Sequence, residues 1–89
     1  MYTATITRNF RDVNTVSPKV LLLNIREAGK PFRDHCWVNI TPELEKFIPY
    51  KNTQKLRLAF EAKSKTYKTY GPEKVTLTKF KHIEIRQAS

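Results

Sequence analysis

The sequence predicts an all-β domain with one short helix, and three observations carry that prediction. Apolar and polar residues alternate with a period of two along most of the chain, as strands with one buried face do. Only two glycines occur, Gly29 and Gly71, and each follows a stretch of alternation where a turn is needed. A single segment, opening at Thr41-Pro42-Glu43, breaks the alternation with helical spacing.

The elements follow in order. Tyr2, Ala4 and Ile6 alternate with Thr3, Thr5 and Thr7, a first strand ending near Phe10. Segment 11–18 is polar and contains Asp12, Asn14 and Ser17, residues that favour loops. Segment 19–27 is rich in Leu and β-branched residues, a second strand apolar on both faces at its start. Ala28-Gly29-Lys30-Pro31 reads as a turn and 32–40 as a third strand, so the two form a hairpin. In the helical segment Thr41 is the N-cap, Pro42 is pre-set for the first position, and Glu43 favours the first turn. Leu44, Phe47 and Ile48 then make one apolar stripe, and Pro49 ends a helix of barely two turns. A helix that short is held only by packing.

Alternation returns at Lys55. Leu56, Leu58, Phe60 and Ala62 share one face, while Arg57, Glu61, Lys63, Lys65 and Tyr67 share the other. Gly71-Pro72 breaks this strand. A fifth strand begins at Val75 and Leu77, and Ile83 and Ile85 continue its parity. Phe80 has the opposite parity, which predicts a bulge around 79–82. Five strands with the helix between strands 3 and 4 is the element order of a five-stranded OB-like barrel, with an SH3-like barrel as the main competitor.

Eighty-nine residues make one domain, 1–89, with no internal repeat or linker. A chain of this size buries roughly 60–65% of its unfolded surface, enough for one core but not for a deep enzyme cleft. The longest strictly apolar run is Val20-Leu21-Leu22-Leu23, so no membrane-spanning segment is expected. The N-terminus shows no charged-then-apolar leader pattern, and the one cysteine, Cys36, suits a reducing compartment. A cytoplasmic protein is expected.

Net charge is +9, and most of it is concentrated. Between Lys46 and Lys81 lie ten of the seventeen Lys and Arg residues against two acids, Glu61 and Glu73. Tyr67 and Tyr70 are embedded there, beside Lys65 and Lys68. Cations that neutralise phosphates next to rings that stack on bases suit a nucleic-acid surface. The same lysines would also serve as a solvated edge that resists aggregation.

Segments 32–38 (Phe32-Arg33-Asp34-His35-Cys36-Trp37-Val38) and 60–71, with its Phe60-Glu61-Ala62-Lys63 and Tyr67-Lys68-Thr69-Tyr70-Gly71, resemble strands of a known group. The group is the small OB-fold proteins of phages and mobile elements, some of them single-strand-binding-like. The resemblance covers about two-thirds of the chain, and its motifs share shape more than sequence. It implies nucleic acid lying across strands 2 and 3, flanked by the first–second and fourth–fifth strand loops. On this chain that places Arg33, His35 and Trp37 on the platform. Lys65, Tyr67, Lys68 and Tyr70 then come from the fourth–fifth connection, and Arg8, Phe10 and Arg11 flank the first loop. A replication or recombination accessory role is also an implication of the resemblance.

Parity puts Trp37 with Arg33, His35 and Asn39, opposite Cys36, Val38 and Ile40. That face is either the outside, where the indole stacks on bases, or, with parity inverted, the core. His35 and Cys36 are neighbours on a strand and point to opposite faces, which argues against a shared metal or a Cys–His nucleophile. No Gly-rich phosphate loop or Ser-His-Asp set appears, so neither enzyme activity nor a cofactor is expected. The reading is a binder of single-stranded nucleic acid, DNA before RNA, using Arg33, His35, Trp37, Arg57, Lys63, Lys65, Tyr67, Lys68 and Tyr70. The alternative is a protein-binding module, a phage-type inhibitor or adaptor, that docks an acidic partner protein.

Overall fold

Alternation of side chains is realised as five strands, and helical spacing as one turn. The structure, a computed structural model, describes residues 1–51, 53–67 and 74–88. The strands are β1 (Tyr2–Arg11), β2 (Lys19–Glu27), β3 (Lys30–Asn39), β4 (Leu56–Tyr67) and β5 (Lys74–Ala88). The helix α1 (Pro42–Glu45) lies between β3 and β4. It is shorter than the two turns expected over 42–48. The Thr41 hydroxyl accepts the Leu44 N–H at 3.2 Å and starts the helix as an N-cap should. Past Glu45 the backbone tightens, with Phe47 N–H donating to Leu44 O and Ile48 N–H to Glu45 O, three residues back. Leu44 is fully buried, while Phe47 and Ile48 pack half-buried against the core, so the apolar stripe faces inward as its spacing demands.

All pairings are antiparallel, in one sheet of order β3-β2-β1-β4-β5. The two end strands approach each other. The Thr76 hydroxyl donates to the Trp37 carbonyl at 3.0 Å, and the Cys36 thiol to the Val75 carbonyl at 3.3 Å. Among the described residues no backbone ladder joins β3 to β5, so the sheet is curled but open rather than closed into the expected barrel. The seam between β3 and β5 is bridged instead by the side chains of Thr76 and Cys36.

One core fills the concave side. A chain of rings crosses it: Phe32 meets Tyr2 edge-on at 5.4 Å, Tyr2 stacks on Phe60 at 6.0 Å, and Phe60 tilts against Phe80 at 5.1 Å. These four rings tie β3, β1, β4 and β5 together. Burial of each large side chain contributes about 1.5–3 kcal/mol, so this row is the main brace between the two halves of the sheet. Phe80 reaches the core because β5 carries extra residues relative to β4. The partners run Ala59↔Glu84, Glu61↔Lys81 and Lys63↔Thr78, with Lys79 (φ 57°) and His82 (φ 53°) in the left-handed region at the shifts. The bulge thus lies where the parity break at Phe80 puts it. A second one-residue shift, between Glu61 and Ala59, restores the original parity, so Ile85 registers with buried Leu58 although it is itself 54% exposed near the end of the strand.

Candidate nucleic-acid interface

Three strand ends meet on the β3 side of the molecule. Arg11 registers with Lys19, and Lys19 with Asn39, whose side-chain oxygen accepts the Lys19 ammonium at 2.9 Å. Asp12 takes a left-handed backbone (φ 56°), and its carbonyl accepts from the Thr15 amide and hydroxyl at 3.1 and 2.8 Å. That turn sends the chain back toward β2 and leaves Arg11 beside Trp37. The Arg11 guanidinium lies 5.7 Å from the indole centroid, within cation–π range.

Between these ends, β3 and the start of β5 lies a cleft of about 490 Å³. Arg11, Asp12, Lys19, Lys74, Val75 and the five consecutive residues 33–37 line it. Cys36 and Val38 are buried, Trp37 is half-buried, and Arg33, His35 and Asn39 are exposed. Trp37 is therefore on the outward face and half-covered, not in the core. Among the described residues, four cations (Arg11, Lys19, Arg33, Lys74) stand against two carboxylates (Asp12, Asp34), which makes this lining positive. Burial pushes the Cys36 thiol upward, which keeps it protonated and fits its role as donor to Val75 O.

The structure thus brings Arg33, His35 and Trp37 together. Lys65 is one step away: it registers with Thr76, the residue whose hydroxyl holds the Trp37 carbonyl. Lys63 lies farther along the β4–β5 ribbon, opposite Thr78. Tyr67 ends β4 opposite Lys74. Lys68 and Tyr70 lie outside the described residues.

Arg57 is placed elsewhere. Its guanidinium donates to the hydroxyls of Thr3 and Thr5 at 3.0 and 3.1 Å, across β1. Burial, and secondarily the charge of Arg26, lower its pKa from the usual arginine value. Its donors serve its own sheet.

Sequence reasoning did not select Lys19, Lys74, Asp12 or Asp34, and it assigned Arg11 only to the flank of a loop. Lys74 carried a signal, as part of the basic run. The others become neighbours only through the register of β1, β2 and β3.

Among the described residues, no three His, Cys, Asp or Glu side chains group closely enough to hold a metal ion, and no helix is long and apolar enough to cross a membrane. Comparison with known proteins gives no match: no family model matches the chain, and no curated protein or solved structure does so.

Proposed function

We propose that this chain is a non-enzymatic protein that binds single-stranded nucleic acid, DNA before RNA, through the β3 cleft. One observation carries the reading: a half-exposed indole lies in a positive cleft, with arginines from two different elements beside it. A base stacked on Trp37 gains about 1–3 kcal/mol, while Arg33, Lys19 and Lys74 neutralise the backbone on either side. His35 adds a second flat ring with hydrogen-bonding nitrogens. Strand order supports an OB-like arrangement whose β3–β5 seam is held by side chains; in such folds the ligand crosses strands 2 and 3 between flanking loops. A lone buried thiol goes with a reducing, cytoplasmic setting. The accessory role in phage or mobile-element replication or recombination rests on the sequence resemblance alone.

One feature favours the rival, a protein-binding module. The cleft runs along β3, an end strand of the sheet, where an extended peptide would add as a further strand.

Trp37 is the only tryptophan, so its fluorescence reports on the cleft directly. The test is titration with single-stranded DNA of about 20 nucleotides, longer than the ~4–16 that one such fold covers. Low and moderate salt are compared, with duplex and single-stranded RNA as competitors. The expected result is strong quenching that survives moderate salt and resists duplex competition. RNA outcompeting DNA would change the sugar but keep the cleft. No quenching and no anisotropy change of a labelled strand at low salt would transfer the cleft to the peptide reading.

A further inference from the structure

A second concavity, of about 470 Å³, lies on the β4–β5 ribbon. Its lining is Glu61, Ala62 and Lys63 from β4 and Lys79, Phe80 and Lys81 from β5. Phe80 is buried, so the depression offers ammonium groups and an apolar floor but no ring face for stacking. Three lysines face one carboxylate there. That carboxylate is already engaged: Glu61 Oε2 meets His82 Nδ1, and this contact holds its pKa below the usual range. Lys81 adds a smaller pull in the same direction. The depression therefore keeps a surplus of positive charge that its own carboxylate does not cancel.

The backbone there is also unusual. Lys79 has φ 57°, a region that glycine enters freely and a lysine enters only at a cost. That conformation belongs to the bulge, and it sets Lys79 beside Lys81 and Lys63 in the lining of the depression.

We infer that this depression is a second phosphate-binding site, occupied by the backbone of the same nucleic-acid strand after it leaves the β3 cleft. The inference rests on the function proposed above and adds its geometry: a bipartite interface, base-reading at Trp37 and backbone-only on the ribbon. The route between the two is short. Lys63 and Lys65 share one face of β4, two residues and about 7 Å apart. Lys65 is level with Thr76, which touches the Trp37 carbonyl. Crossing from β4 to β5 adds one inter-strand step of about 4.8 Å and the side-chain-bridged seam to β3 a wider one, so the whole span is on the order of 12–15 Å. Lys65 stands on that path.

The test uses the full chain with labelled single-stranded DNA of about 4 and about 16 nucleotides, the limits of site size for such folds. Affinities are followed by anisotropy across a salt series. The variant is Lys79→Gly with Lys81→Gln. Glycine accepts the left-handed backbone, so charge is removed without disturbing the bulge. Two lost phosphate contacts should flatten the salt slope for the long strand by about 1.4, which is roughly a 25-fold loss at 0.1 M salt. The short strand, confined to the cleft, should keep its affinity within about twofold. Equal weakening of both lengths, or an unchanged slope for the long strand, overturns the second site. Trp37→Ala, run in parallel, separates the two claims: loss of short-strand binding upholds the cleft whatever the ribbon variant shows. Short-strand binding that ignores Trp37 overturns the cleft, and with it the bipartite interface.

Discussion

The two concavities are nearly equal in size, about 490 Å³ beside β3 and about 470 Å³ on the β4–β5 ribbon, yet they are built from different chemistry. The first gathers an indole, two arginines, two lysines, an imidazole and two carboxylates from β1, β2, β3, β5 and the loop that follows β1. The second is lysines around a buried ring, all from one hairpin. Arginine forks and flat rings match planar bases and fix orientation; lysines are mobile point charges that suit a backbone of any sequence. Charge density alone would rank these regions the other way round. The stretch 46–81 holds most of the surplus charge, but of its cations only Lys74 lines the cleft.

The largest effect that would break this contrast belongs to Trp37. Trp37→Ala should weaken single-strand binding by about 1–3 kcal/mol, or 5- to 150-fold, with little change in salt slope, because a ring rather than a charge is lost. Trp37→Phe should restore part of the affinity. A salt slope that falls along with the affinity would mean that removing the indole also displaces Arg11, and that the two act as one unit. Circular dichroism of the free protein should be unchanged in both variants, since Trp37 is half-buried on the outer face and outside the ring row that braces the core.

A smaller effect, of a different kind, belongs to Arg57. It shares a face of β4 with Lys63 and Lys65, so parity alone would add it to the ribbon. Its hydrogen bonds to Thr3 and Thr5 say otherwise. Arg57→Met should cost about 1–2 kcal/mol of stability in urea unfolding, from lost bonds of a charged donor in a half-exposed position. Strand binding should stay within about twofold. A large binding loss at unchanged stability would instead extend the interface across the outer face and merge the two regions.

Much of the frame was legible in the sequence because it depends on local periods. The strict alternation of Leu56, Leu58 and Phe60 gave the buried face of β4, while the pattern around Cys36 and Val38 left two placements for Trp37, of which the structure takes the outward one. The reversed parity of Phe80 located a bulge, and Thr41-Pro42 located a helix start. What depended on pairing was not legible. Arg11, Lys19 and Asn39 are separated by 8 and 20 positions, and only the strand register brings them to one end of the sheet. The exposure of Ile85 was not legible either, because its parity with Leu77 is restored by the second shift and it pairs with buried Leu58, yet it lies too near the strand end to be covered. The open seam was hidden for the same reason: the choice of Thr76 and Cys36 as donors is made between strands that are not neighbours in sequence.

The smallest expected effect runs in the opposite direction to the others and so tests the ribbon most specifically. Among the described residues, Glu61 is the one carboxylate that lines the depression, and it is exposed, with His82 as its partner. If the depression takes phosphate, Glu61 opposes binding and Glu61→Gln should tighten the long strand a few-fold while leaving the short strand alone. Stability gives the companion readout. The folded-state pKa of Glu61 is depressed, mainly by His82, so its contribution to stability is present above the ordinary carboxylate pKa. That contribution fades as pH falls through the ordinary value toward the depressed one. In Glu61→Gln this acid-side slope should shrink, while the long strand binds more tightly at neutral pH. A variant that changes the acid slope but leaves long-strand affinity fixed would make the Glu61–His82 pair purely a brace of the bulge, and the ribbon lysines a solvated edge.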